Sequence, residues 1–177
     1  MVGAASEEAL TKTRIAADEF VAGHMVNDGL GAPPKSGWAR MAPELFVDSI
    51  EKSLAFWRDL LGFRIAYQRP DDPFVYLERP EGAQIMLCER YGEWETGPFE
   101  RPYGRGVMLQ VSVDDLDTVL ATVVSRGWPI YRGLREVWRR LGDREGGQRE
   151  FFLQDPDGYL IMIAEKIGER PLSQRAT

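Results

Sequence analysis

Among its 177 residues the chain has one cysteine and one histidine. A lone thiol, Cys88, cannot form an internal disulfide, so no disulfide framework holds this fold; the expectation is a small buried thiol in a reducing cytoplasm. The histidine, His24, lies outside the patterned body of the chain, so that body offers no imidazole to activate a serine or cysteine for acyl transfer. Basic residues are in the minority, 22 Lys and Arg against 28 Asp and Glu, giving a net charge of −6. That sign is unsuited to nucleic-acid phosphates, so no nucleic-acid partner is expected, while a cationic small ligand is tolerated. No segment approaches the roughly 20 apolar residues needed to cross a bilayer. The start, MVGAASEEALTKTR, has no basic stretch leading into an apolar run, so a soluble protein with no membrane partner is expected.

What is present is an internal repeat. Residues 74–89, FVYLERPEGAQIMLCE, align without a gap on 150–165, EFFLQDPDGYLIMIAE, with six of sixteen positions identical, including Pro80 with Pro156, Gly82 with Gly158 and Met86 with Met162. Upstream, VDSIE at 47–51 matches VDDLD at 113–117, and Gly62-Phe63-Arg64-Ile65 matches Gly127-Trp128-Pro129-Ile130. Self-similarity at this spacing marks a duplicated unit. Each copy reads as a strand, an acidic turn, an amphipathic helix ended by glycine, another strand, and a Pro-x-Gly hairpin joining two more strands.

The body, residues 37–170, therefore predicts an α+β domain of two tandem βαβββ modules, about 40–90 and 106–168. Strands are expected at 42–47, 63–68, 74–79 and 83–89, then at 107–113, 129–133, 149–154 and 159–165. Helices are expected at 50–61, with Trp57 in its core stripe, and 115–126. Before the body, residues 1–36 predict a helical extension capped at Ser6 and a linker, GAPPKSG; 171–177 form a tail. Gly104-Arg105-Gly106 and Gly146-Gly147 read as turns, and Arg139-Arg140 as a solvated loop. Alternation sorts the faces: if Leu109, Val111 and Val113 pack on the helix, then Met108, Gln110 and Ser112 face the other way. By the repeat, Ala42, Glu44 and Phe46 share that second face, as do Met86 and Met162, with Tyr76 and Phe152 as cross-strand partners.

The strings VDSIEKSLAFWRDLLGF and FFLQDPDGYLIMIAE, used in two copies, resemble the vicinal oxygen chelate superfamily, which contains glyoxalase I, extradiol dioxygenases, fosfomycin-resistance enzymes and bleomycin-resistance proteins. The resemblance covers about residues 40–168 and implies modules whose sheets curve together around a pocket. In metal-using members, His or Glu ligands occupy one place on the first and last strands of each module. Those places carry over to Ala42, Met86, Met108 and Met162, none of which can hold a hard divalent ion, so no metal and no other cofactor is expected. Three methionines suit only a soft ion such as copper(I), and filling a pocket or core is their ordinary role.

Within the superfamily, APELFV, Ala-Phe-Trp and Gly-Gln-Arg-Glu-Phe before Gln-Asp-Pro-Asp-Gly most resemble the metal-free bleomycin-resistance type. That resemblance implies a homodimer that sequesters a cationic, partly aromatic antibiotic unchanged. Rings able to stack such a ligand are Phe46, Tyr76, Trp94, Phe99, Tyr103, Trp138 and Phe152. The candidate ligand-binding set adds Ala42, Glu44, Met86, Met108, Gln110 and Met162; Glu78, Gln84 and Gln154 are further polar groups on the strands. Two alternatives stay open. One is a metal-independent lyase or isomerase of a small organic substrate, with Glu44 or another pocket carboxylate as base. The other is a ligand-sensing or protein-interaction module using the extension.

Overall fold

A computed structural model describes residues 31–69, 71–91 and 95–172. The expected N-terminal helix, His24, Trp94 and most of the tail lie outside the described residues. The chain divides into two compact units, Met1–Pro98 and Phe99–Thr177, each holding one copy of the repeat. No helix among the described residues is long and apolar enough to cross a membrane.

The first module runs β1 (Glu44–Val47), α1 (Ile50–Trp57), β2 (Arg64–Gln68), β3 (Phe74–Glu78) and β4 (Gln84–Glu89). Its sheet has the order β1-β4-β3-β2, with β1 parallel to β4 and the other pairs antiparallel. Ser49 caps α1 by accepting from the Lys52 N–H, and Glu89 of β4 accepts the free Ile50 N–H at 2.9 Å. The α-helix ends at Trp57, short of the expected 61. Asp59 and Leu61 bond back five residues, to Leu54 and Phe56, which widens the last turn before Gly62 takes φ +74°. Ile50, Leu54 and Trp57 are buried with the helix-facing set Leu45, Val47, Val75, Leu77, Ile85 and Leu87.

The second module repeats the order as β5 (Met108–Ser112), α2 (Leu116–Ser125), β6 (Ile130–Leu141), β7 (Arg144–Gln154) and β8 (Leu160–Pro171), with strand order β5-β8-β7-β6. Asp115 caps α2, accepting from the Thr118 N–H at 3.0 Å and its hydroxyl at 2.6 Å. Val111, Val113, Leu116, Val119, Val123, Phe151, Leu153, Ile161 and Ile163 are its buried apolar residues. The βαβββ expectation therefore holds in both copies, one mixed sheet each.

The hairpin β6–β7 corrects the sequence reading. Arg139-Arg140 and Gly146-Gly147 were expected in loops, yet they pair within the sheet, and the chain turns only at Gly142. This outer half of the hairpin is largely solvated on both faces, so it carries no apolar alternation to betray a strand. Gly147 instead makes room for the Trp138 ring, which lies where a Cβ would come within 2.7 Å.

The two Pro-x-Gly hairpins are closed alike, by Arg79 N–H to Ala83 O and Asp155 N–H to Tyr159 O, with both glycines at φ +94°. They differ in surroundings: a Cβ on Gly82 would meet nothing within 4 Å, whereas one on Gly158 would lie 2.5 Å from Pro102. Gly82→Ala is therefore expected to cost about 1–2 kcal/mol of stability from positive φ alone. Gly158→Ala should cost a further 1–3 kcal/mol or so from overpacking. Urea denaturation of both variants checks the order; equal losses would show that Pro102 yields freely.

Candidate functional site

The faces turned away from the helices carry the candidate residues. In the first module the rows of this inner face are set by strand register. Glu44 lies beside Met86, which lies beside Tyr76, and Phe46 lies beside Cys88, which lies beside Phe74. Ala66, Phe74, Tyr76 and Cys88 form a buried cluster, with Ala42, Phe46, Tyr67 and Met86 packed against it. Burial and the neighbouring carboxylates of Glu44 and Asp72 push the Cys88 thiol up to about 12, so it stays protonated and behaves as an apolar filler. Glu44 is half-buried, and burial raises its pKa against the opposing pull of Arg69.

Part of this face is already covered. Residues 31–39, of which 31–37 were expected as a linker, form a strap across the sheet. Gly31 bridges to Tyr67, and a Cβ there would collide with the Ala66 carbonyl at 2.1 Å. Glu78, almost fully buried, accepts from the Lys35 N–H at 2.8 Å, from Ser36 and from Arg64; burial opposes its ionisation, but these partners bring its pKa down. Gln84 accepts from Ala39 N–H and the Tyr76 hydroxyl and donates to Ser36 Oγ and the Gly37 carbonyl. Two polar groups read as possible cavity lining thus serve as anchors for the strap. The strap carries Trp38, 57% exposed, edge-on to Tyr67 at 5.7 Å and to Tyr76 at 5.3 Å, while the two tyrosine rings stack at 5.2 Å. Beside this indole a recess of about 420 Å³ is lined by Gly31, Ala32, Pro33, Trp38, Tyr67 and Gln68.

In the second module the equivalent rows are Gln110, Met162, Phe152 and Arg132, then Ser112, Ala164, Glu150 and Arg135. Met108, 45% exposed, Gln110 and Ser112 are open to solvent, as alternation predicts. Met162 and Phe152 are buried. Glu150 is fully buried and ionised. Burial opposes its charge, yet hydrogen bonds from Arg139, Gln148 and Arg135 outweigh that cost and lower its pKa to about 2. A cleft of about 490 Å³ opens on this side, with Gln110, Ser112, Arg139, Gln148 and Lys166 in its wall.

Three ring candidates sit elsewhere. Tyr103 is buried against Tyr159, pairs with Phe99 at 4.3 Å, and donates its N–H to the Asp157 carbonyl; this brace holds the β7–β8 hairpin. Trp138 lies between Gly147 and the Arg170 guanidinium, 4.0 Å from its ring, and donates to Glu136. Gln154 donates to Gly158 within the hairpin. Trp94 lies outside the described residues. Sequence reading missed Trp38, Tyr67, Arg132, Arg135 and Glu150. Only the last left a signal, as a carboxylate aligned on Phe74 in the repeat.

The four positions to which the resemblance carries the superfamily's metal ligands hold a methyl group, Ala42, and three thioethers, Met86, Met108 and Met162. Divalent ions require carboxylate or imidazole donors, so this set does not fit them. Among the described residues there is no group of three or more His, Cys, Asp or Glu able to hold a metal ion.

Comparison with known proteins agrees with the two-module fold. The model of the Glyoxalase/Bleomycin resistance protein/Dioxygenase superfamily matches residues 39–163. The chain belongs to this superfamily. It is similar to the lactoylglutathione lyase of Haemophilus influenzae, 26% identical over 126 residues that cover 68% of this chain and 87% of that one. Among solved structures, a virulence protein of Salmonella typhimurium is 22% identical with a TM-score of 0.55, covering 73% of this chain and 98% of its own. A glyoxalase/bleomycin resistance protein/dioxygenase from Nocardioides is 20% identical with a TM-score of 0.53, covering 78% and 90%. The two structures show the shared fold.

Because the folded pKa of Glu150 lies below its ordinary 4.5, its ion cluster stabilises the protein above that pH and the contribution is lost as pH falls towards about 2. Wild type should therefore lose stability across this window more steeply than Glu150→Gln, in denaturation measured at successive pH values. Parallel acid limbs would contradict the assignment.

Proposed function

We propose that this superfamily member binds and sequesters a partly aromatic, cationic antibiotic of the bleomycin class, or a similar planar natural product, without metal and without altering it. The observation that carries the reading is the exposed Trp38 indole, seated on the stacked Tyr67 and Tyr76 beside a recess of about 420 Å³. An aromatic plate of this kind takes flat rings by stacking and cations over its face. Glu44, penalised by burial on the same sheet, gains from a cation placed near it. The apolar set at Ala42, Met86, Met108 and Met162 supports binding over metal chemistry.

A second reading has its own support. The similar Haemophilus protein is a lyase, and burial raises the Glu44 pKa in the direction a general base needs. On that reading the protein is a metal-independent lyase or isomerase with Glu44 taking the proton.

Calorimetry with bleomycin as probe, followed by mass spectrometry of the recovered drug, separates the two. Binding should be saturable with the drug intact. Trp38→Ala should weaken it roughly tenfold to a hundredfold, the scale of one stacked ring. Chemical change of a ligand that disappears in Glu44→Gln would favour the enzyme; absence of heat at high micromolar drug would remove bleomycin as the ligand.

The reading includes a homodimer with two equivalent sites. Light scattering at micromolar concentration should give twice the chain mass, and a monomer mass throughout would refute it.

A further inference from the structure

The two inner faces differ most in one row. In the first module it reads Phe46, Cys88, Phe74; in the second it reads Ser112, Ala164, Glu150. The first row is apolar packing. In the second, a fully buried carboxylate stands where the copy has a ring. Burying a charge is costly, and replacing a buried ion cluster by apolar groups is often neutral or stabilising. Stability alone therefore favours the arrangement of the first module, and Glu150 calls for another reason.

Its partners supply one. Glu150 accepts from Nε and Nη2 of Arg135 at 2.8 and 2.5 Å, and from Nη1 and Nη2 of Arg139 at 3.0 and 3.1 Å. One carboxylate thus fixes two guanidiniums that remain 40% and 50% exposed. Among the described residues, Nη1 of Arg135 and Nε of Arg139 have no acceptor. A third guanidinium, Arg132, lies 5.4 Å from the centre of the Phe152 ring, which Arg135 also approaches at 5.5 Å. Arg132 meets no carboxylate among the described residues. Three positive charges stand against one negative charge here, and their forked donors, held in place and facing solvent, have the geometry that suits an anion. The adjoining cleft of about 490 Å³ adds Gln110 and Ser112, exposed neutral groups able to donate, and its charged lining, Arg139, Arg140 and Lys166 against Asp114 and Glu165, is net positive.

We propose that the inner face of the second module is an oxyanion-binding site for the phosphate, phosphonate or carboxylate group of a small ligand. Arg135 and Arg139 donate to the anion, Arg132 supplies flanking charge, and Gln110 and Ser112 hold the adjacent part of the ligand. Glu150 is a positioning residue that aims the two forks. The inference does not rest on the drug-binding reading, because it uses residues of the second module alone and a ligand group of the opposite charge.

Titration of the full chain with inorganic phosphate, methylphosphonate and acetate, at ionic strength held constant with sodium chloride, tests the site by calorimetry and by melting temperature. Saturable binding to one site is expected, with a melting temperature that rises with phosphate beyond the chloride control. Arg132→Gln, at an exposed position that leaves the Glu150 cluster intact, should weaken binding about fivefold, the scale of one unit charge removed at close range in water. Glu150→Gln discriminates further. It makes the face more positive, so a merely electrostatic surface would bind phosphate more tightly, whereas loss of aim should abolish the preference for phosphate over chloride. No saturable response to any of the three anions, or an unchanged response in Arg132→Gln, would overturn the proposal. Tighter phosphate binding in Glu150→Gln would overturn the positioning role.

Discussion

The parallel pairing of the first and last strands of each module is the constraint on which the candidate sites depend. It brings residues more than 40 positions apart in sequence into one row: Glu44 beside Met86 in the first copy, Gln110 beside Met162 in the second. A parallel pair cannot be closed by a tight turn, so the intervening chain must cross over, and here a helix does so. That helix covers one face of the sheet and fixes which alternate residues become core. The opposite face is then left to whatever else the chain supplies, and the two copies supply different things.

In the first module the supply comes from the chain itself. Residues 31–39 lie across the inner face, and the buried Glu78 and Gln84 are satisfied by their backbone and by Ser36. Among the described residues no buried side-chain nitrogen or oxygen lacks a hydrogen-bond partner, as a stable interior requires. The strap both closes the polar end of the sheet and delivers Trp38 to its aromatic end. In the second module arginines of the long β6 strand do the corresponding work, folding back over Phe152 and Glu150.

Local alternation made much of this legible. Leu54, Trp57, Val111 and Ile161 are buried and Gln110 and Ser112 exposed, as period-two and period-3.6 patterns require. The repeat located both hairpins and both helices. What it could not show was anything whose cause is remote in sequence. The strap reads as a linker because its acceptors, Glu78 and Gln84, lie more than 40 residues away. The outer half of β6–β7 reads as a loop because a ribbon wetted on both faces needs no apolar partner, and its glycines mark close ring packing rather than a turn. Phe99, Tyr103 and Trp138 read as available rings because a sequence does not say which ring is braced: two hold a hairpin and one is boxed by glycine and arginine.

Duplication gives each position an internal control. Where the copies agree, as at Pro80 and Pro156 or Gly82 and Gly158, the shared residue answers a demand of the backbone, here a hairpin that needs φ near +94°. Where they disagree on the helix side, both residues are still apolar and the core absorbs the difference, as with Val75 and Phe151. Disagreement on the inner face is of another kind, because Phe74 and Glu150 exchange an apolar ring for a charge at positions of equal burial. No backbone requirement separates the two strands at that point, and the core behind them is apolar in both. The difference is then set by what each face touches, and on the proposed readings the positions where the copies part company in charge, rather than those they share, are the ones that carry specific binding.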